Sequence, residues 1–141
     1  MGDFALSAAS KRNREGIDPR LIEISDLAIK LTLVDFGHGP DSGLRQPERQ
    51  HALYLEGKSR ADGYDKKSRH QFGKALDFFA FVDGAASWEP EHLTMVATAF
   101  LQAASVLGYR VNWGGLWPQK QPPATGIHYG WDMPHIELLE D

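Results

Sequence analysis

One carboxylate constrains this chain more than any other residue. Asp77 lies inside Ala75-Leu76-Asp77-Phe78-Phe79-Ala80-Phe81-Val82, the run most clearly written as a β-strand. Its aromatic content and the Asp83-Gly84 stop fit an extended segment. Alternation sends Ala75, Asp77, Phe79 and Phe81 to one face, and Leu76, Phe78, Ala80 and Val82 to the other. An ionised carboxylate in such company is costly unless it is paired or binds a metal. Whatever fold forms must bring a partner to Asp77.

The rest of the chain supplies elements around that strand. Asp18-Pro19 opens a helix, with Asp as N-cap and Pro at the first helical position. Leu21, Ile24, Ala28 and Leu31 then recur at helical spacing. Pro47 starts a second helix, to about Glu56, stopped by Gly57. A third runs from about Pro90 to Leu107, with Leu93, Val96, Ala97, Phe100, Leu101, Ala104 and Leu107 as its buried stripe and Gly108 as its cap. Short strands are expected at 34–36, at Tyr109–Trp113 and at His135–Leu139. Residues 11–16 read as a solvated turn, and 58–68 as a polar, turn-like stretch. Helices and strands mix without βαβ regularity. The expected class is α+β, a small, mostly antiparallel sheet with about three helices.

With 141 residues, no linker and no repeat, one domain is expected over 1–141, with no separate wall-binding domain. The net charge of -4 gives no bulk attraction to nucleic acid or anionic surfaces. A local pocket must therefore do any binding of an anionic polymer. The chain has no cysteine, which excludes disulfides, thiolate catalysis and Cys-held zinc. Any transition metal falls to His, Asp or Glu. No apolar stretch approaches the roughly 18 residues of a membrane span. Residues 1–10 lack a basic start and an apolar block, so synthesis without a signal peptide is expected.

Two segments carry the chemistry. One is Ser68-Arg69-His70-Gln71-Phe72-Gly73-Lys74-Ala75-Leu76-Asp77, and the other is Asp132-Met133-Pro134-His135-Ile136-Glu137. Gly73 lets the chain turn between His70 and the strand that bears Asp77. Pro134 fixes the approach of His135. Two His and one Asp make a three-ligand zinc site with a fourth position open to water. Such a site lowers the pKa of water and polarises a carbonyl. A base is also needed. Asp132, three residues before His135, and Glu137, two after it, both qualify by spacing, and spacing does not choose between them. Glu137 also qualifies as a partner for an imidazole N–H.

The ordered pattern Ser-x-His-x-x-Gly-x-Ala-x-Asp, then Trp-Gly-Gly, then Asp-x-Pro-His-x-Glu-Leu resembles the zinc peptidases that cleave peptidoglycan stem peptides. These include phage L-alanyl-D-glutamate endopeptidases, D-alanyl-D-alanine carboxypeptidases and the vancomycin-resistance dipeptidases, with a fold shared by the Hedgehog signalling domain. The resemblance runs from about Leu6 to Leu138. It implies His70, Asp77 and His135 as zinc ligands, Asp132 as general base, and Glu137 as an orienting residue. Ser68 resembles a substrate-contacting position. Gly43-Leu44-Arg45 with Gln50 resembles a Gly-x-Arg-x-x-x-x-Gln segment whose Arg helps bind substrate. The guanidinium fork suits a substrate carboxylate. Trp113-Gly114-Gly115, Trp117, Tyr129 and Trp131 are candidates for lining the cleft, with core packing as the equal alternative. His38, His51, His92 and His128 are read as non-ligands.

The implied function is a zinc-dependent endolysin that cleaves the L-Ala–D-Glu bond. It would be a monomer, without nucleic-acid partners or membrane insertion, acting on the wall after the membrane is permeabilised in phage lysis. A D-Ala–D-Ala carboxypeptidase is the nearest rival, and a non-catalytic zinc-binding module of Hedgehog type the other.

Overall fold

A computed structural model describes residues 3–118 and 129–140. The described residues hold four α-helices: α1 (Ala8–Asn13), α2 (Pro19–Leu31), α3 (Pro47–Leu55) and α4 (Pro90–Leu107). The last three lie where their caps predict. The Asp18 carboxylate accepts from the Arg20 amide at 2.9 Å, and Pro19 is the first residue of α2. Gly108, at φ +80°, ends α4 in the left-handed region that suits glycine.

α1 replaces part of the turn expected at 11–16. Ser7 caps it, and tertiary contacts hold its six residues. Buried Ser10 accepts from the His38 amide, while Arg14, just past the helix, reaches Asp26 at 2.7 Å. Isolated helices of this length are not stable. Packing makes this one.

Among the described residues, six short strands form two antiparallel sheets of three. β1 (Asp35–Gly37), β3 (Phe79–Val82) and β4 (Ala85–Ser87) make one, in the order β1-β3-β4. β2 (Ala75–Asp77), β6 (His135–Leu138) and β5 (Val111–Trp113) make the other, in the order β2-β6-β5. The expected strand at 75–82 is thus two strands in different sheets. The break is at Phe78, whose amide donates to the Pro134 carbonyl at 2.8 Å. One residue earlier, the Asp77 amide donates to the Ser42 carbonyl at 2.8 Å. The Asp83-Gly84 stop becomes a tight turn into β4, with both residues at positive φ.

The core lies between the α2–α4 pair and the strands. Leu21, Ile24 and Ala28 of α2 and Val96, Ala97 and Phe100 of α4 are fully enclosed. Phe78 stacks on Phe100 with ring centroids 5.2 Å apart, joining the sheet-switching point to α4. Each of the larger side chains contributes about 1.5–3 kcal/mol of apolar burial. Leu101 and Leu107, expected in the α4 stripe, are half-buried at its margin, while Ala99 and Ala103 are inside.

Candidate functional site

β2 and β6 pair so that Asp77 stands directly opposite His135, with Leu76 opposite Ile136 and Ala75 opposite Glu137. The pleat puts Asp77, His135 and Glu137 on one face. A 3-10 turn, Arg69–Phe72, brings His70 to the same point. That turn is closed at its start by a reciprocal Ser68–Gln71 capping box. It ends at Gly73, φ +69°, where the chain turns into β2. The donor atoms of His70, Asp77 and His135 all lie within 4.8 Å of one another.

Hydrogen bonds fix one nitrogen of each imidazole and turn the other toward Asp77. His70 Nδ1–H donates to the Gly43 carbonyl at 2.9 Å, which leaves Nε2 facing Asp77 Oδ1 at 3.3 Å. His135 Nε2–H donates to Glu137 Oε1 at 2.9 Å, which leaves Nδ1 facing Asp77 Oδ1 at 3.1 Å. Both rings are buried. Histidine ligands of metal sites have this form, one nitrogen to the ion and the other N–H fixed by a carbonyl or carboxylate. Asp77 has its second oxygen held by Arg45 Nη2 at 3.2 Å.

Charge at this point suits a cation. Burial works against ionisation of Asp77, yet the two imidazoles hold its carboxyl well below the usual carboxylate range. Burial would also depress His135, but bonds to Asp77 and Glu137 outweigh it and raise its pKa to about 9. A ring with two carboxylates in hydrogen bond and a third nearby keeps a proton unless another positive charge takes its place. The donor set and the fixed tautomers fit a divalent metal ion held by His70 Nε2, Asp77 Oδ1 and His135 Nδ1.

Asp132 and Glu137 lie on different sides of the His135 ring. Asp132 Oδ2 is 3.8 Å from Nδ1, the nitrogen that faces Asp77, whereas Glu137 bonds Nε2. Burial and then the charge of Asp77 push the Asp132 pKa upward. Glu137 is pushed down by its bond to His135. Asp132 is placed by its backbone. Its amide donates to the Gly114 carbonyl, and a β-carbon at Gly114 would run into the Asp132 carbonyl.

These groups open into a cleft of about 370 Å³ whose lining includes Arg45, Ser68, Trp117 and Trp131. Trp117 lies 5.0 Å from the His135 ring and 5.1 Å from the Trp131 ring. Trp113 is instead in the core, its indole N–H donating to the Met133 carbonyl at 2.6 Å. Ser68 accepts from the His70 amide. The Arg45 fork is shared among the Asp41 carbonyl, Gln50 Oε1 and Asp77. His51 and His92 sit outside the cleft lining, bonded to the Asp62 carbonyl and the Ser87 hydroxyl, and His128 falls outside the described residues.

Three participants carry no signal in sequence spacing. Gly43 lends the carbonyl that orients His70, and a β-carbon there would meet the Asn13 carbonyl at 2.6 Å. His38, fully buried, donates from Nδ1 to the Asp77 carbonyl at 2.7 Å and accepts from Ser25 at 2.8 Å. In the stretch 58–68, read as polar and turn-like, residues 58–61 and 66–68 form a wall of the cleft. Its density of Lys and Arg was the available sign.

Comparison with known proteins gives the same picture. Residues 1–139 match the profile of a family described as phage L-alanyl-D-glutamate peptidase. The L-alanyl-D-glutamate peptidase of Escherichia phage T5 is 27% identical over 138 residues, which cover 96% of this chain and 98% of that one. The crystal structure of the Serratia marcescens L-Ala D-Glu endopeptidase ChiX superposes with a TM-score of 0.77 at 31% identity, covering 97% of this chain and 92% of that one. With its metal-ligand geometry and a match across nearly its whole length, the chain belongs to the phage L-alanyl-D-glutamate peptidase family.

Proposed function

We propose that this chain is a zinc-dependent endopeptidase that hydrolyses the L-Ala–D-Glu bond of peptidoglycan stem peptides. The observation that carries the reading is the convergence of His70, Asp77 and His135, with each imidazole fixed by its other nitrogen. Zinc is the metal favoured by two imidazoles and one carboxylate in a site open on one side. When bound, the ion supplies Lewis acidity toward a carbonyl and lowers the pKa of water.

The protein residues divide the remaining work. Asp132, raised by burial and by Asp77, takes the proton of the attacking water and returns it to the leaving amine nitrogen. Glu137 faces the opposite ring nitrogen and serves to orient His135. Arg45 holds Asp77 Oδ2, and contact with a substrate carboxylate would use the part of its fork that faces the cleft. Ser68 keeps its hydroxyl hydrogen for a substrate acceptor while its oxygen caps the 70-turn. Trp117 and Trp131 offer flat faces to the stem peptide. The active species is taken as a monomeric single domain working at the cell wall. None of the described helices is long and apolar enough to cross a membrane.

Mass analysis of digested peptidoglycan tests the reading. New N-terminal D-Glu is expected, lost with a chelator and restored by zinc. Release of free D-Ala instead would assign a carboxypeptidase. Zinc binding with no hydrolysis would assign a non-catalytic module.

A further inference from the structure

The chain carries a net charge of -4, yet one wall of its cleft is cationic. Lys58, Arg60, Lys66 and Lys67 line it, all exposed. The cations deeper in the cleft are already engaged. Arg45 serves Asp77, and Arg69 donates to the Leu138 carbonyl beside Glu137. The outer four differ. Lys58 pairs with exposed Glu56 at 3.3 Å, and Arg60 lies over the Trp131 ring at 4.7 Å. Lys66 and Lys67 have no acidic side-chain partner among the described residues.

The wall is built rather than loose. Buried Gln50 donates to Ser59 Oγ at 2.8 Å and to the Ala61 carbonyl at 2.9 Å while accepting from Arg45, so one side chain ties the wall to the metal-ligand shell. Gln71 of the 70-turn donates to the Gly63 carbonyl at 2.8 Å. Of the two acids within the loop, Asp65 is exposed and outside the cleft lining, and Asp62 accepts from the amides of Tyr64 and Lys66. Its charge is spent on its own backbone and is not aimed at the lysines. Cationic side chains gathered on a built wall beside a cleft attract and orient anions.

Resting on the stem peptide as substrate, we propose that Lys66 and Lys67, with Arg60 and Lys58, form a second anion subsite that reads a free carboxylate of the stem peptide on the leaving-amine side of the scissile bond. The enzyme then discriminates between ionised and amidated stem peptides. Two carboxylates have the required chemistry, the α-carboxylate of D-Glu and the C-terminal carboxylate.

Calorimetric binding to the zinc-loaded Asp132→Asn chain separates them. The probes are L-Ala-γ-D-Glu-L-Lys-D-Ala as free acid, its D-Glu α-amide and its C-terminal amide. Lys66→Gln/Lys67→Gln weakens free-acid binding about tenfold, as two exposed charge contacts would. Lys11→Gln/Lys30→Gln, an equal charge change outside the cleft, leaves it within twofold. The amide that binds as weakly to the unaltered wall as the free acid binds to the double variant marks the carboxylate that is read. Free-acid affinity also falls as salt rises from about 0.05 to 0.5 M. The proposal is overturned if the lysine double variant binds the free acid within twofold of its parent, if neither amidation matters, or if no probe binds. Failure of the endopeptidase reading has its own sign, the absence of new D-Glu N-termini in digested peptidoglycan.

Discussion

β2 and β3 follow each other in the chain with only Phe78 between them, and they enter different sheets. β2 pairs with β6, which sets His135 opposite Asp77. β3 pairs with β1, which sets Phe36 opposite Ala80 and Gly37 opposite Phe79. A β-carbon at Gly37 would meet the Phe79 ring at 2.8 Å, so even the glycine there serves packing. One apolar run thus contributes a candidate metal-site carboxylate at one end and core at the other. The partner strand decides which, because a carboxylate in a strand is tolerable only where its neighbours bring compensating charge.

That contrast can be broken from either side. The largest effect should fall on the β2–β6 side. Asp132→Asn is expected to lower stem-peptide hydrolysis about 10³-fold, in the range of a lost general base. Zinc content and urea midpoint should stay at parental values. Retained turnover would move the base to Glu137. At the junction, Phe78→Ala should cost about 3–5 kcal/mol in urea unfolding, the range for emptying a packed phenyl site. A cost below about 1 kcal/mol would mean that the junction is not the anchor its stacking on Phe100 implies.

Two buried histidines sharpen the comparison through pH. His38 is kept neutral by burial, its pKa lowered from 6.5 to about 4. Below pH 6.5 the unfolded chain takes up that proton first, so stability falls as pH drops toward 4, by up to about 3 kcal/mol. In the metal-free chain His135 runs the other way, raised from 6.5 to about 9. Its contribution is complete below pH 6.5 and is lost as pH rises through about 9. Urea unfolding across pH in chelator should show both limbs. His38→Gln should flatten the acid limb and His135→Gln the alkaline one. A single limb removed by both variants would contradict the separation. The smallest effect is expected at Glu137→Gln, which should weaken zinc binding about 10–100-fold in competition with a chromophoric chelator.

Much of this was legible in the sequence where the physics is local. The Asp18-Pro19 cap, the Pro90 start and the Gly108 stop fixed α2 and α4 because caps and breakers act within one turn. The ligand candidates His70, Asp77 and His135 were visible because a carboxylate in an apolar run needs a reason. The sheet switch at Phe78 was not, since alternation continues through it and only the carbonyls of Ser42 and Pro134, far away in sequence, divide the run. α1 was hidden because it depends on tertiary contacts through Ser10 and Arg14. The carbonyl of Gly43 and the His38 bond under Asp77 are backbone partners without a residue-type signature. The cationic wall was hidden by a negative net charge, which averages over the surface what the fold gathers in one place.

The most direct test is X-ray absorption at the zinc edge of the zinc-loaded chain. The account predicts one zinc per chain with two imidazole nitrogens at about 2.0–2.1 Å and a carboxylate oxygen in the same shell. His70→Ala and His135→Ala should each remove one imidazole contribution. A spectrum without imidazole scattering, or one unchanged by both substitutions, would contradict it.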